Sequence, residues 1–534
     1  MRRPAVCLAA FAALAAVVPL GAAGSARRTG EDPYARVAQL QQRMAAGTLD
    51  SRALTRQLLA RIRRLDGHGP RLRAVLETNP DALKIAAALD RARAGAETRG
   101  PLYGMPVLLK DNIDTGDRML TSAGSLALTG APASQDAALV ARLRKAGALI
   151  LGKTNLSEWA NFRSSHASSG WSARGGQTRN PYALDRSPCG SSAGSAVAVA
   201  AGLAPLAVGT ETDGSIICPA SMNGIVGIKP TLGLVSRRGI VPISHNQDTA
   251  GPMARSVADA AALLTAMAGS DPADPATREA DRHKTDYTRF LDPNGLRGKR
   301  IGVVRQLAGA DPNADRVLAE AIATMKAQGA IIVDPVTLPH LDDLGPLETR
   351  VLLSDFKHDL DAYLASRSGL EVKTLADLIA FNDAHAGSEM PWFGQDLFVQ
   401  AQAAPAPSDP GYLAALARVK QLAGPQGIDA ALGAQHLDAL LAPSVGPAFL
   451  TDLVDGDHVA GGASQPAAVA GYPSIAVPAG SAHGLPVGIV LFGAKWSEPS
   501  LISIAYGFEQ HTHAWRAPKF LDTVGGKPVA IGTR

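Results

Sequence analysis

Two serines and a lysine stand where they could move protons. Ser191 lies in CGSSAGS (residues 189–195) and Ser215 in TETDGSI (210–216), 24 residues apart. Each sits in a Gly-rich turn beside a run of small apolar residues, and Gly permits tight turns and close backbone approach. Lys110 closes GPLYGMPVLLK (100–110), directly after the apolar Val107–Leu109. A serine hydroxyl becomes a useful nucleophile when a neighbouring base takes its proton. A lysine is a base only when neutral, and burial lowers its pKa from ~10.4 by up to about 3–5 units. Asp111 is the next residue, but on a strand it points to the opposite face. Gly/Ser clusters are also ordinary loop material. Here they alternate with a packed-looking helix, Ser195–Leu203, and a short strand, Leu206–Val208, as flexible linkers do not.

Other chemistries compete for the same residues. Gly190–Gly194 fits G-x-S-x-G, which would make Ser192 an elbow nucleophile with a histidine base. That elbow needs a strand before it, and Ala183-Leu184-Asp185-Arg186-Ser187-Pro188 is polar and holds a proline. With 12 histidines in the chain, a His base is easily assigned anywhere. Ser354-Asp355-Phe356-Lys357 is an S-x-x-K without the K-T-G or S-D-N partners that usually accompany it. It reads as an ordinary helix face. H-E-x-x-H and C-x-x-C are missing from the sequence, and no metal is expected.

The stretch Cys189–Thr231 as a whole resembles the signature region of the amidase signature family of serine hydrolases, and the likeness runs from about Leu49 to about Thr512. GTETDGSIICPAS, SGWSARGGQTRNPY and HNQDTAGPMARSVADA resemble the bacterial peptide amidases of that family, which hydrolyse the C-terminal carboxamide of peptides. The resemblance implies Ser215 as nucleophile and Ser191, on a cis peptide bond, as proton relay. It implies Lys110 as terminal base and the backbone N–H groups of Thr212, Asp213, Gly214 and Ser215 as oxyanion donors. Asn161, in SEWANF, matches the substrate-cradling segment. Glu211 reads as a structural acid in the turn. The family often has Gly-Gly where this chain has Asp213-Gly214, a departure shared with the peptide amidases. No cofactor is implied. Simple aliphatic or aryl amides would suit the same catalytic core. The other readings are a solute-binding protein and the A subunit of glutamyl-tRNA amidotransferase. The first needs no buried neutral lysine; the second works in the cytoplasm with partner subunits.

The positioning elements follow from periodicity. Helices are predicted over Tyr34–Met44, from Asp50 or Ser51 through Leu65, after Asn79-Pro80, and over Asp136–Ala146, Ser256–Met267, Asp315–Gln328, Leu347–Ala365, Thr374–Ala384 and Pro499–Glu509. Strands are predicted at Val107–Leu109, Ala148–Leu151, Leu206–Val208, Arg300–Val304, Ile331–Val333, Leu437–Leu441 and Val487–Phe492. Helices between strands indicate βαβ units. The fold expected is α/β, with a large mixed, mostly parallel central sheet covered by helices on both faces. The unperiodic residues 160–190 are expected over the active site, and Met390–Asp409 at a substrate rim.

Composition bounds the rest. The chain has 534 residues, 46% hydrophobic and 4% aromatic, with a net charge of +4. That is apolar enough for a large core and too weakly basic for nucleic acid. Residues 1–26 read as an export signal, with Arg2 and Arg3, an uncharged Ala5–Leu20 and small residues at Gly21–Ala26. A periplasmic or secreted location follows, with residues 27–534 as one amidase domain whose signature core spans about 100–270. No other apolar run approaches ~20 residues, so no membrane insertion is expected after cleavage. The expected partner is a small-molecule or peptide amide, and the chain is expected to act as a monomer. Cys189 and Cys218, outside the signal, fit no zinc spacing. They are expected to be buried free thiols, because a bridge inside a catalytic turn would constrain it.

Overall fold

The computed structural model describes Met1, residues 32–93 and residues 100–531. The expected export signal therefore lies outside the described residues, apart from Met1. From Tyr34 onward the described residues form one compact unit.

Thirteen strands run through it: β1 (Val75–Thr78), β2 (Pro106–Lys110), β3 (Leu149–Thr154), β4 (Trp171–Ser172), β5 (Gly176–Gln177), β6 (Leu206–Glu211), β7 (Val226–Lys229), β8 (Thr249–Ala254), β9 (Arg300–Val303), β10 (Ile331–Val333), β11 (Ala439–Pro443), β12 (Ser474–Ala482) and β13 (Leu485–Phe492). β4 and β5 make a small ribbon; the other eleven form one mixed sheet in the order β1-β3-β2-β6-β8-β7-β12-β13-β11-β9-β10. Parallel pairing comes in two blocks, β3-β2-β6 and β11-β9-β10. Antiparallel pairs join these blocks through β8, β7, β12 and β13 and add β1 at one edge.

The parallel blocks are the βαβ units that the sequence pattern announces. Strands β7, β8 and β12 carry no such announcement. They read VGIK, TAGPMA and SIAVPAGSA, and their Gly and Pro look like breakers in isolation. Pairing on both sides overrides that local preference.

Two elements of the parallel block set the site. All residues of β2 and β6 are buried, as apolar strands inside an α/β core should be. Their register pairs Val107, Leu108 and Leu109 with Leu206, Ala207 and Val208. The helix Ala193–Ala200 (AGSAVAVA) is buried at every position. Only small side chains let a helix lie this deep. At Gly194 an added Cβ would stand 2.4 Å from the carbonyl oxygens of both Ala74 and Asn155, a contact that only glycine avoids.

A second hydrophobic cluster lies apart from the main core. Trp159, Ile243, Phe356, Leu360 and Phe398 are buried in it, with Ala160, Phe162 and Leu352 partly buried against it. Phe356 stands 5.3 Å from Phe398 and 5.0 Å from Phe162, ring to ring. The long helix Leu344–Ser366 supplies one side. Of the segment expected at a substrate rim, the helix Asp396–Gln402 turns Phe398 fully into this cluster, because an aromatic side chain gains most from burial, while Trp392 and Val399 stay exposed. Among the described residues no helix is long and apolar enough to cross a membrane.

Gly194→Ala should therefore destabilise the protein. Displacing backbone by a methyl group in a packed core costs about 1–3 kcal/mol. Urea unfolding of the two proteins would measure it, and an unchanged midpoint would contradict the packing described.

Candidate active site

Lys110 ends β2 and is fully buried. Its Nζ donates to Ser191 Oγ at 2.7 Å, to Thr210 Oγ1 at 2.8 Å and to the Thr210 carbonyl at 3.2 Å. Ser191 Oγ in turn donates to Ser215 Oγ at 2.9 Å. The lysine and the two serines thus form one hydrogen-bonded line, from an interior amine to a partly exposed hydroxyl.

Burial pushes the Lys110 amine down to about 7, against the opposing charges of Asp248 and Glu211. Asp111 does not act on it: its carboxylate accepts from Ser122 and from Arg174 on the other face of the strand, as the alternation of β2 requires. Burial also raises Asp248, to about 6, even though its oxygens accept from Thr212 Oγ1 at 2.6 Å and from the N–H groups of Ile243 and Ser244. Glu211 Oε2 accepts from the N–H groups of Ile216 and Ile217 at 2.7 and 2.9 Å. It closes the start of the helix Ile217–Met222, the structural place read for it.

The turn from Thr212 to Ser215 leaves its backbone donors free. None of the N–H groups of Thr212, Asp213, Gly214 and Ser215 has an acceptor among the described residues. Gly214 takes φ +79°, which a side chain would resist. Burial and the neighbouring Glu348 push the Asp213 carboxyl well above the carboxylate range, which favours the uncharged acid beside those donors.

A cavity of about 290 Å³ opens onto Ser215 and this turn. Asn161, Ser169, Gly190 and Asp457 give it polar groups; Ala160, Phe162, Ile243, Leu352 and Val459 give it an apolar wall. The expectation that residues 160–190 cover the site holds for Ala160, Asn161, Phe162, Ser169, Cys189 and Gly190. Asn161 sits in a run of three left-handed residues, Trp159, Ala160 and Asn161, with φ of 51°, 53° and 73°. Such a run costs roughly 1–2 kcal/mol per residue. The Glu158–Arg163 pair, fully buried at 2.7 Å, spans it. Asn161 Oδ1 is buried without a hydrogen-bond partner among the described residues.

Two expectations fail here. Ser191 has no cis peptide bond; the one cis bond among the described residues is Asp334–Pro335. A non-proline cis bond costs ~3–4 kcal/mol, and the chain turns instead through Cys189 at φ 62°. Cys189 and Cys218 are not free thiols but a disulfide, with Cα atoms 5.8 Å apart. Rather than lying within one turn, it joins two. The competing motifs find no site. Ser192 is buried and exchanges hydrogen bonds with the Thr210 backbone at 3.0 and 3.1 Å, and no histidine lines the cavity. Ser354 Oγ has no partner among the described residues, while Lys357 donates to the Gln402 carbonyl.

Thr210, Asp248, Ile243, Leu352, Asp457 and Val459 were not singled out as site residues by the sequence. Thr210 adjoins the signature and is within reach of such reasoning. Asp248 lies in HNQDTAGPMARSVADA, one of the stretches that carry the resemblance. Ile243, Leu352, Asp457 and Val459 come from segments that only the folded chain brings near, and no local pattern marks them.

The family model Amidase matches residues 53–502, and the chain belongs to that family. Among solved structures, native peptide amidase from Stenotrophomonas maltophilia is 56% identical with a TM-score of 0.87, over 91% of this chain and 99% of that one. An Arabidopsis thaliana protein named Probable amidase is 43% identical over 89% of each chain. The A subunit of glutamyl-tRNA(Gln) amidotransferase from Moorella thermoacetica is 36% identical over 88% of this chain and 94% of that one. The protein is an amidase of the amidase signature type.

Thr210→Val would strip an acceptor from Lys110 and from Asn112, whose Nδ2 donates to the same oxygen at 2.9 Å. Leaving buried donors unpaired costs about 1–3 kcal/mol each. Denaturant titration should show a loss in that range, larger than for Thr451→Val in the loop before residue 457.

Proposed function

We propose that the protein hydrolyses carboxamides, above all the C-terminal amide of peptides, to the free acid and ammonia. The observation that carries this is the line Lys110–Ser191–Ser215, ending at a cavity beside four free N–H groups. The 56% identity to a peptide amidase supports the peptide amide as substrate.

With Lys110 neutral, the two hydroxyls turn so that Ser215 donates to Ser191 and Ser191 to the Nζ lone pair, the reverse of the donor sense given above. Ser215 Oγ then attacks the amide carbonyl carbon and gives its proton to Ser191, whose own proton passes to Lys110. The carbonyl oxygen becomes an oxyanion, held by N–H donors of the turn. Fixed main-chain dipoles suit that task because they need no reorganisation as charge develops. As the C–N bond breaks, Lys110 returns the proton through Ser191 to the nitrogen, and ammonia leaves. Water then enters by the same relay, and the ester on Ser215 breaks to release the acid. Residues 1–26 direct export on this reading, and the chain acts alone.

Ser215→Ala should lower kcat by at least about 10⁴-fold, on the scale set by removal of a serine nucleophile. A fluorophosphonate should label Ser215, and mass spectrometry would locate it; labelling elsewhere with turnover intact would remove the nucleophile. Lys110 must be uncharged, so the rate should be half-maximal near its pKa of about 7, approach its plateau about one unit above, and fall about tenfold per unit well below. A rate unchanged down to about pH 4 would exclude a lysine base. Ammonia release from a panel of peptide, aliphatic and aryl amides would test the substrate; equal rates on all three would remove the peptide preference.

A further inference from the structure

One covalent bond, the disulfide, joins the two serine turns, and a handful of hydrogen bonds accompany it. Cys189 precedes Ser191 by two residues, and Cys218 follows Ser215 by three. Beyond the serine–serine hydrogen bond, the direct links between the turns are Ser192 N–H to the Ser215 carbonyl at 3.2 Å, the two bonds that Ser192 Oγ exchanges with the Thr210 backbone at 3.0 and 3.1 Å, and Asn223 Nδ2 to the Pro188 carbonyl at 2.8 Å. Each such bond contributes about 1 kcal/mol net, and any of them can exchange with water. The Cys189–Cys218 bond cannot. A proton relay needs its oxygens within about 2.6–3.2 Å, and a 1 Å misplacement can cost on the order of 100-fold in rate.

We propose that the Cys189–Cys218 disulfide sets the distance between Ser191 and Ser215, and that a small dithiol entering through the substrate cavity releases it and slows turnover. Both cysteines line that cavity; Cys189 is buried and Cys218 is half-buried. The accessible sulfur is therefore that of Cys218. A thiolate of the dithiol attacks it, the Cys189–Cys218 bond breaks, and Cys189 leaves as a thiolate that takes a proton. The second thiol of the reagent then closes on the mixed disulfide. Cys218 is freed as a thiol, and the dithiol is oxidised to a cyclic disulfide, having supplied both electrons. The inference rests on the relay proposed above, and its bond belongs to an oxidising compartment of the kind the export signal implies.

The test uses the whole protein, purified in air, with and without dithiothreitol. Untreated protein should give one linked peptide containing Cys189 and Cys218 in mass spectrometry. Dithiothreitol should expose two thiols and lower kcat about 10- to 100-fold, with KM within about twofold and circular dichroism unchanged. Removing the reagent in air should restore the rate. The Cys189→Ser/Cys218→Ser variant should be slow with or without reagent. A reduced protein at full rate, or two free thiols in the untreated protein, would overturn this inference and leave the relay standing. A rate loss that tracks loss of the folded signal would also overturn it, in favour of plain stabilisation. An oxidised, linked protein with no amidase turnover would bring down both.

Discussion

An amine kept from water is the constraint on which the rest depends. Lys110 has hydrogen-bond acceptors on every side that matters, yet no carboxylate touches it. Burial drives it toward the neutral form, and Asp248 and Glu211 pull the other way from a distance. The balance falls near neutrality, where a base is most useful. A contacting carboxylate would hold the proton permanently. Asp111, one residue away, is the carboxylate nearest in sequence, and the strand turns it to the opposite face, where Arg174 and Ser122 engage it. Strand alternation thus insulates the amine from its nearest neighbour in sequence.

The sheet brings the remaining parts to this amine. β2 and β6 lie side by side in parallel register, so the strand that ends in Lys110 runs beside the one that carries Thr210. β6 leads directly into the turn holding Ser215, and the helix that follows is closed by Glu211 from the end of the same strand. Ser191 enters from the other side, at the start of a helix of small residues that can lie against β6. Ser192, its neighbour, is committed to the Thr210 backbone. Adjacent hydroxyls in one motif therefore have different tasks, decided by which way each faces.

Much of this was legible in the residues themselves. The lysine after an apolar run, the two Gly/Ser turns, the buried small-residue helix and the parallel β-α-β blocks all stand where local pattern puts them. Family likeness supplied the link between Lys110 and the serines, which no spacing reveals across 81 residues. The antiparallel middle of the sheet was illegible because its strands hold Gly and Pro, and only neighbours on both edges make them strands. The cavity wall was illegible for another reason. Leu352, Ile243 and Val459 are ordinary apolar residues, and what makes them a wall is where distant segments meet. The disulfide was misjudged because sequence shows two cysteines beside two serines but not that the two turns face each other.

The two hydrophobic clusters divide the labour of the molecule. β2, β6 and the helices that begin beside the serines belong to the main core. Ala160, Phe162, Ile243 and Leu352, the apolar wall of the cavity, belong with Trp159 to the second cluster. Repacking the second cluster reshapes what the cavity accepts while the hydroxyls and the amine keep their places. A lineage built on this plan can change its diet by small steps, each of them survivable, without having to rebuild its chemistry.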